Sequence, residues 1–376
     1  MMLKEYIKAH EGQMLQTWQD LHAMPEWGQQ EFKTSAYLKK ILQEQGITTI
    51  DMGPTGFIAE IKGVEQGPII GLRADMDALP YRNEAGETYY VHACGHDSHC
   101  TMGLWTMLAL KELGLVHRGT VRTLFQPDEE GLSGAINMAK AGAIKDMDEL
   151  YGVHIRPIQE LPFGKASPAL WHGASTGAEI IVHGTAAHGA RPHLGANAID
   201  GAAAIIFAIN SIWMDPGQPW SAKVTRIQGG GDVVNIIPDK AVLSVDVRSA
   251  SNGLMKELLT KIGEVSQHAA ASMGCTCEFK PRHTAPAAEY DQQCIDALAA
   301  AITEALGSEN LFPPIITVGA DDFHEYKVAN PNLKTGFLAI GADAEPGLHS
   351  PNMHFNTACI FKGVAILTTA LAGRVK

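Results

Sequence analysis

Apolar residues along the chain keep two alternating rhythms. Near the start, Leu3, Tyr6, Ile7, Met14, Leu15, Trp18 and Leu21 recur at spacings near three and four, which predicts an amphipathic helix over 3–23. Pro25 and Gly28 close it. A second helix is expected over 32–45, ending at Gly46. Short apolar runs then predict strands at 56–61 and 69–73, the latter followed by Asp75 and Asp77. A helix at 100–113, a strand at 120–125, a helix at 134–141 and a strand at 150–155 complete the first series. Such alternation predicts an α/β fold with a mixed, largely parallel sheet flanked by helices.

From about residue 177 the order changes to strand 178–183, helix 197–213, strands 223–228 and 241–248, helix 254–273 and strand 275–281. This is the sequence of elements in a ferredoxin-like α+β unit. A helix over 294–306, and strands leading to His349, resume the first pattern. The expected architecture is a discontinuous domain, 1–176 plus 288–376, with a smaller domain of 177–287 inserted into it.

A length of 376 residues makes two domains the default. The net charge of −12 excludes nucleic acid and anionic membranes as partners, because both require basic patches. The six cysteines are too sparse for a disulfide framework. The opening residues lack the apolar core of a signal peptide, and no run of about 18 apolar residues occurs. A cytoplasmic protein with no membrane partner is expected.

The chemistry concentrates in His92-Ala93-Cys94-Gly95-His96-Asp97-Ser98-His99. Cys94 and His96 can offer soft sulfur and nitrogen donors to one ion. Glu129-Glu130, His154 and His349 supply further donors, and three groups, Asp75 with Asp77, Glu129 with Glu130, and His154, fall at expected strand ends, where α/β sheets build their sites. Taken singly, each has a bland explanation: a buried Cys is usually an apolar filler, and a Glu pair usually a solvated loop. Their order and spacing point to metal. Five protein ligands exceed what one catalytic ion takes, so two ions about 3.5–4 Å apart, with Cys94 as the natural bridge, fit better. Of Glu129 and Glu130, one can ligate while the other moves a proton between water and a leaving amine. A second group, His183 to His193, lies in the inserted domain, where His188 is a candidate donor to an oxyanion.

Several ordered motifs give these residues a family likeness. They include Leu21 to Glu26, Leu72 to Pro80, His92 to His99, Phe125 to Gly131, Gly152 to His154, His188 with Pro192-His193, Val234 to Pro238, Gly319 to Phe323 and Leu348 to Pro351. Through them the chain resembles, nearly end to end, the metallo-amidohydrolases that include bacterial hippurate hydrolases, N-acyl-amino-acid deacylases and plant auxin-conjugate hydrolases. The resemblance implies a zinc-peptidase-like catalytic domain with an inserted lid or dimerisation domain. It implies metal ligands at Cys94, His96, Glu130, His154 and His349, with Glu129 as general base and acid. It further implies that His188 steadies the oxyanion, that Asn235 contacts substrate and that Asp77 orients a ligand. Asp97 and His99 are expected to support the cluster from behind. The cofactors implied are two divalent ions, with manganese, zinc, cobalt and nickel as candidates.

The chain also departs from that pattern. Asp75-Met76-Asp77 stands where the wider superfamily has His-x-Asp, which places the chain in the Cys-bearing subgroup. Gly319-Ala320-Asp321-Asp322-Phe323 replaces a more usual Gly-Ser-Glu-Asp-Phe, and Arg156 and Trp171-His172 also differ. These positions are expected to line an acyl or carboxylate pocket. The function expected is hydrolysis of a small N-acylated amino acid to a carboxylate and a free amino acid, with a homodimer formed through the inserted domain. The rivals are a dipeptidase or carboxypeptidase on the same scaffold, taking a short peptide, and a non-catalytic ligand-binding relative.

Overall fold

A computed structural model describes residues 2–317 and 319–376. They form two compact units. The first contains residues 2–171, 289–316 and 321–376; the second contains 172–288 with Thr317, Gly319 and Ala320.

The first unit is built on a seven-stranded sheet. Its strands lie in the order Thr48–Asp51, Phe57–Lys62, Arg118–Gln126, Glu65–Asp75, Glu149–Pro157, Lys334–Ala344 and Ala166–Ser167. The four from Arg118–Gln126 to Lys334–Ala344 are mutually parallel, and the outer pairings are antiparallel. The parallel strands are covered on both faces, which is why Glu149–Pro157 is buried along nearly its whole length. One face packs Leu72, Val153 and Ile340 under the helices Leu3–His22, His96–Glu112, Gln292–Leu306 and Cys359–Arg374. The other packs Leu150, Phe337 and Ala339 against Met138, Phe323 and Tyr326.

Two local features differ from expectation. The helix expected from Cys100 begins at His96, because Gly95 takes a left-handed φ of 85° and turns the chain directly into it. Its first turn therefore carries His96, Asp97 and His99. A hairpin, Leu79–Arg82 paired with Thr88–Val91, follows the strand Glu65–Asp75. Leu79 and Tyr81 are half-buried between exposed Pro80 and Arg82, but a strand of four residues is too short for that alternation to stand out in the sequence.

The second unit has a four-stranded antiparallel sheet in the order Trp220–Gly229, Lys240–Ser249, Ala174–His183 and Thr276–Pro281. The helices Ala198–Asn210 and Asn252–Ser272 bury Ile205, Leu258 and Ile262 against Ile180, Val182, Leu243 and Val245. Ala174–His183 alternates buried and half-buried side chains along its ten residues, the period of a sheet with one covered face. This is the ferredoxin-like arrangement expected from the element order.

Candidate metal centre

The parallel strands of the first unit end on one side, and the donors gather there. Asp75 closes its strand, Glu129 and Glu130 follow Gln126, and His154 lies inside Glu149–Pro157, three residues before its end. His349 follows the strand Lys334–Ala344 on a loop, and Cys94 precedes the helix that opens at His96.

Hydrogen bonds fix how the rings face. His96 Nδ1 donates to the Asp77 carbonyl at 3.0 Å and carboxylate at 3.1 Å, leaving Nε2 buried with no hydrogen-bond partner, 3.9 Å from the carboxylates of Asp75 and Glu129. His154 Nδ1 donates to the Ile155 carbonyl at 2.6 Å, so its Nε2 lone pair faces Cys94 Sγ, 3.4 Å away. Burial, then the charges of His99 and Arg156, hold His154 well below the ordinary imidazole range, and the ring stays neutral. Five overlapping donor groups result among the described residues, each with its donor atoms within 4.8 Å of one another: Cys94, His96 and His154; Cys94, Glu130 and His349; His96, Glu129 and Glu130; Asp75, His96 and His99; and Glu129, Asp321 and Asp322. Cys94 belongs to two of them, as a bridging thiolate would. The proximity of Cys94 and then of Glu130, whose Oε1 lies 3.3 Å from Nε2, pushes His349 up to about 10. The site thus favours a positive charge opposite Cys94 and Glu130.

Fixed backbone presents the two glutamates. Asp128 and Leu132 take left-handed φ values of 53° and 57° on either side of them. The Asp128 N–H donates to buried Glu31 at 2.9 Å, and the Glu130 N–H donates to Asp77 at 3.0 Å. Asp77 therefore ties His96 and Glu130 together through one carboxylate. A Cβ at Gly28 would fall 1.9 Å, and one at Gly131 2.3 Å, from Asp128 Oδ1, so a side chain at either would force the Asp128 carboxyl to move. Burial, then the charges of Asp321, Glu130 and Asp322, push Glu129 well above the usual carboxylate range.

Glu31 yields a pH prediction. Burial pushes its carboxyl up to about 7, against hydrogen bonds from Thr55 and Asp128 that favour the charge. Unfolded, it ionises near 4.5. Between those values the folded chain holds a proton that the unfolded chain has lost, so this group makes stability fall as pH rises from 4.5 to about 7. The loss approaches about 3 kcal/mol. Urea melts of Glu31→Gln across that range should show the limb flattened; an unchanged limb would assign it to other groups.

A buried ionic network lies behind the donors. Arg73, fully buried, pairs with Asp75, with Asp322 at 2.8 Å and with Asp321 at 3.1 Å, and donates to Gln126 at 2.9 Å. Burial opposes the guanidinium charge, but the three carboxylates hold its pKa well above normal. Burial likewise opposes the charge on Asp75, and Arg73, His96 and His99 overcome it and hold the carboxyl well below its usual range. Asp321 and Asp322 lie beside Glu129, with side-chain oxygens of all three within 4.8 Å of one another. Both are buried and pair with the buried Arg73 guanidinium.

Of the residues expected from sequence, Cys94, His96, Glu129, Glu130, His154 and His349 come together in the first unit, with Asp77 behind His96 and Glu130. His99 sits behind them, donating to Asp75 at 2.7 Å and accepting from the Ile155 N–H at 3.0 Å. Asp97 turns the other way, to His22 Nδ1 at 2.7 Å on the first helix. His92 is buried with neither ring nitrogen bonded. His188 and Asn235 belong to the second unit and share a ribbon, in which Ala187–His188 pairs with Ile236–Ile237 and the Gly189 N–H donates to the Asn235 carbonyl at 2.7 Å. His188 Nδ1 accepts the Ala190 N–H at 3.0 Å, which assigns its proton to Nε2 as a free donor. Glu31 and Arg73 were not singled out from sequence. A signal was available for Arg73, a charge within the apolar run Ile69 to Ala74.

The unpartnered His96 Nε2, the shared Cys94 and the mixed sulfur, nitrogen and oxygen donors fit divalent metal. An α/β sheet with such a centre, and a carboxylate beside it, define a metal-dependent hydrolase. Residues 71–373 match the model of peptidase family M20/M25/M40, and the chain belongs to that family. It is 30% identical to the N-acetyl-L-cysteine deacetylase of Bacillus subtilis over 94% of this chain and 86% of that one. It is 29% identical to the IAA-amino acid hydrolase ILR1-like 2 of Arabidopsis thaliana, over 97% and 86%. A crystal structure from Bacillus subtilis, described as a dinuclear metal binding peptidase of the M20 family, superposes with a TM-score of 0.80 at 26% identity, covering 98% of this chain and all of that one.

Proposed function

We propose that the protein hydrolyses the amide bond of small N-acylated amino acids, giving a carboxylate and a free amino acid. The observation that carries this reading is the pairing of the two donor groups that share Cys94 with a second buried glutamate beside them. Cys94, His96, Glu130, His154 and His349 would hold two divalent ions, with Cys94 common to both; manganese, zinc, cobalt and nickel are the candidates. When bound, such a pair makes water more acidic and polarises the amide carbonyl. Glu129 takes the proton from the attacking water and returns it to the leaving nitrogen, a cycle suited to a carboxyl with a raised pKa. Asp77 holds the His96 ring in the tautomer that frees Nε2. His188 donates its Nε2 proton to the carbonyl oxygen as charge develops there, and Asn235, on the same ribbon, contacts the substrate.

We assign the chemistry to the discontinuous domain and a lid or dimerisation role to the inserted one. Homodimerisation through the second unit is supported by the open edge of Trp220–Gly229 and by exposed Phe207 and Trp213. A cytoplasmic location is supported by six free cysteines. Among the described residues, no helix is long and apolar enough to cross a membrane.

A dipeptidase or carboxypeptidase activity is the second reading, favoured by the peptidase description of the Bacillus subtilis structure. One panel separates the two. Metal-reconstituted protein should turn over N-acetyl-, N-benzoyl- or indole-acyl amino acids, and a chelator should abolish that turnover. Cleavage confined to unblocked dipeptides would overturn the deacylase reading in favour of the peptidase, and no turnover of any substrate would overturn both.

A further inference from the structure

The three imidazoles of the centre are not built alike. His96 stands on a helix and His154 on a strand, both are buried, and each ring is held by a hydrogen bond from its own Nδ1. His349 stands on a loop, its side chain is 57% exposed, and its φ of 66° lies in the left-handed region, which is disfavoured for any residue with a Cβ. Its backbone is held on two sides. The His349 N–H donates to the Ala93 carbonyl at 2.8 Å, and its carbonyl accepts the Tyr81 hydroxyl at 2.6 Å.

The first of these bonds ties His349 to the neighbour of Cys94. The second ties it to the hairpin Leu79–Arg82/Thr88–Val91, whose other strand packs Tyr89 against the Tyr81 ring at 5.9 Å between centroids. Without the hydroxyl, the His349 carbonyl keeps no protein donor from the hairpin, and the loop is free to leave the left-handed conformation. The imidazole would then swing away from Glu130, whose Oε1 lies 3.3 Å from its Nε2. His96 and His154 would be untouched.

We propose that Tyr81 is a positioning residue for one half of the metal centre, holding the His349 backbone so that the imidazole stays opposite Cys94 and Glu130. This rests on the ligand set of the proposed function. Tyr81 does not touch substrate or the reacting atoms in this role. It sets the occupancy of the Cys94, Glu130 and His349 group and leaves the Cys94, His96 and His154 group alone.

The test is metal content per chain, measured by elemental analysis after equilibrium dialysis against a graded series of free manganese or zinc. Wild type, Tyr81→Phe, Tyr89→Phe and His349→Ala are compared, with melting temperatures alongside. Wild type should load two ions and His349→Ala one. Tyr81→Phe should load its first ion as wild type does and need at least tenfold more free metal for the second, with its melting temperature unchanged. Tyr89→Phe, which keeps the hydroxyl on Tyr81, should match wild type. If Tyr81→Phe titrates like wild type while His349→Ala loses an ion, the role of Tyr81 is overturned and the ligand set stands. If His349→Ala still loads two ions, the ligand set itself is wrong. Loss of both ions from Tyr81→Phe would also overturn the proposal, since it assigns the residue to one half only.

Discussion

Glu129→Gln is expected to keep its bound metal and lose about 10²- to 10⁴-fold in kcat, the range of a positioned general acid and base. The amide side chain fills the same space and cannot accept the proton. Burial and the neighbouring charges of Asp321, Glu130 and Asp322 make the native carboxyl unusually basic, so the substitution also removes a charge that the site disfavours. Glu130→Gln should behave oppositely and lose metal along with activity. Elemental analysis and single-turnover kinetics on the two variants separate these outcomes. If Glu129→Gln sheds metal while Glu130→Gln retains it, the two glutamates must exchange roles.

The second large effect falls on stability. Arg73→Leu leaves Asp75, Asp321 and Asp322 buried together without their guanidinium, and removing one partner from such a network costs about 3–5 kcal/mol. The sign of the pH dependence follows from the carboxylates. At low pH they can be neutral, so the deficit is smallest there and grows as pH rises and charge must be buried unpaired. Adding Asp322→Asn to Arg73→Leu should recover part of the loss, a coupling that thermal or urea melts read directly. A variant as stable as wild type across pH would show that the network contributes no net stability.

Much of the fold could be read along the chain, for a physical reason. Strands buried on one face alternate and covered helices repeat near 3.6 residues, so Ala174–His183 and Leu3–His22 announce themselves. The donors were legible because Cys-Gly-His and Glu-Glu are compact, and because strand ends are where an α/β sheet exposes side chains. What stayed hidden is pairwise. Arg73 meets Asp322 across 249 positions, and nothing in either neighbourhood names the other. Glu31 reaches Asp128 across 97 positions, and Asp97 reaches His22 across 75. The start of the helix at His96 carries no capping signal in the sequence. Its entry uses a left-handed glycine in place of a capping side chain.

The backbone of Ile155 has a consequence for how this protein can vary. Its N–H donates to His99 and its carbonyl accepts from His154, so a single residue's main chain orients two imidazoles. Such groups survive replacement of the side chain above them. Position 155 can therefore drift among aliphatic residues while both rings keep their aim, and only proline, with no N–H, is barred outright. The steric cost of that drift falls on Gly95, over which the Ile155 side chain closes. Packing there can be retuned over generations without disturbing the geometry that holds the ions.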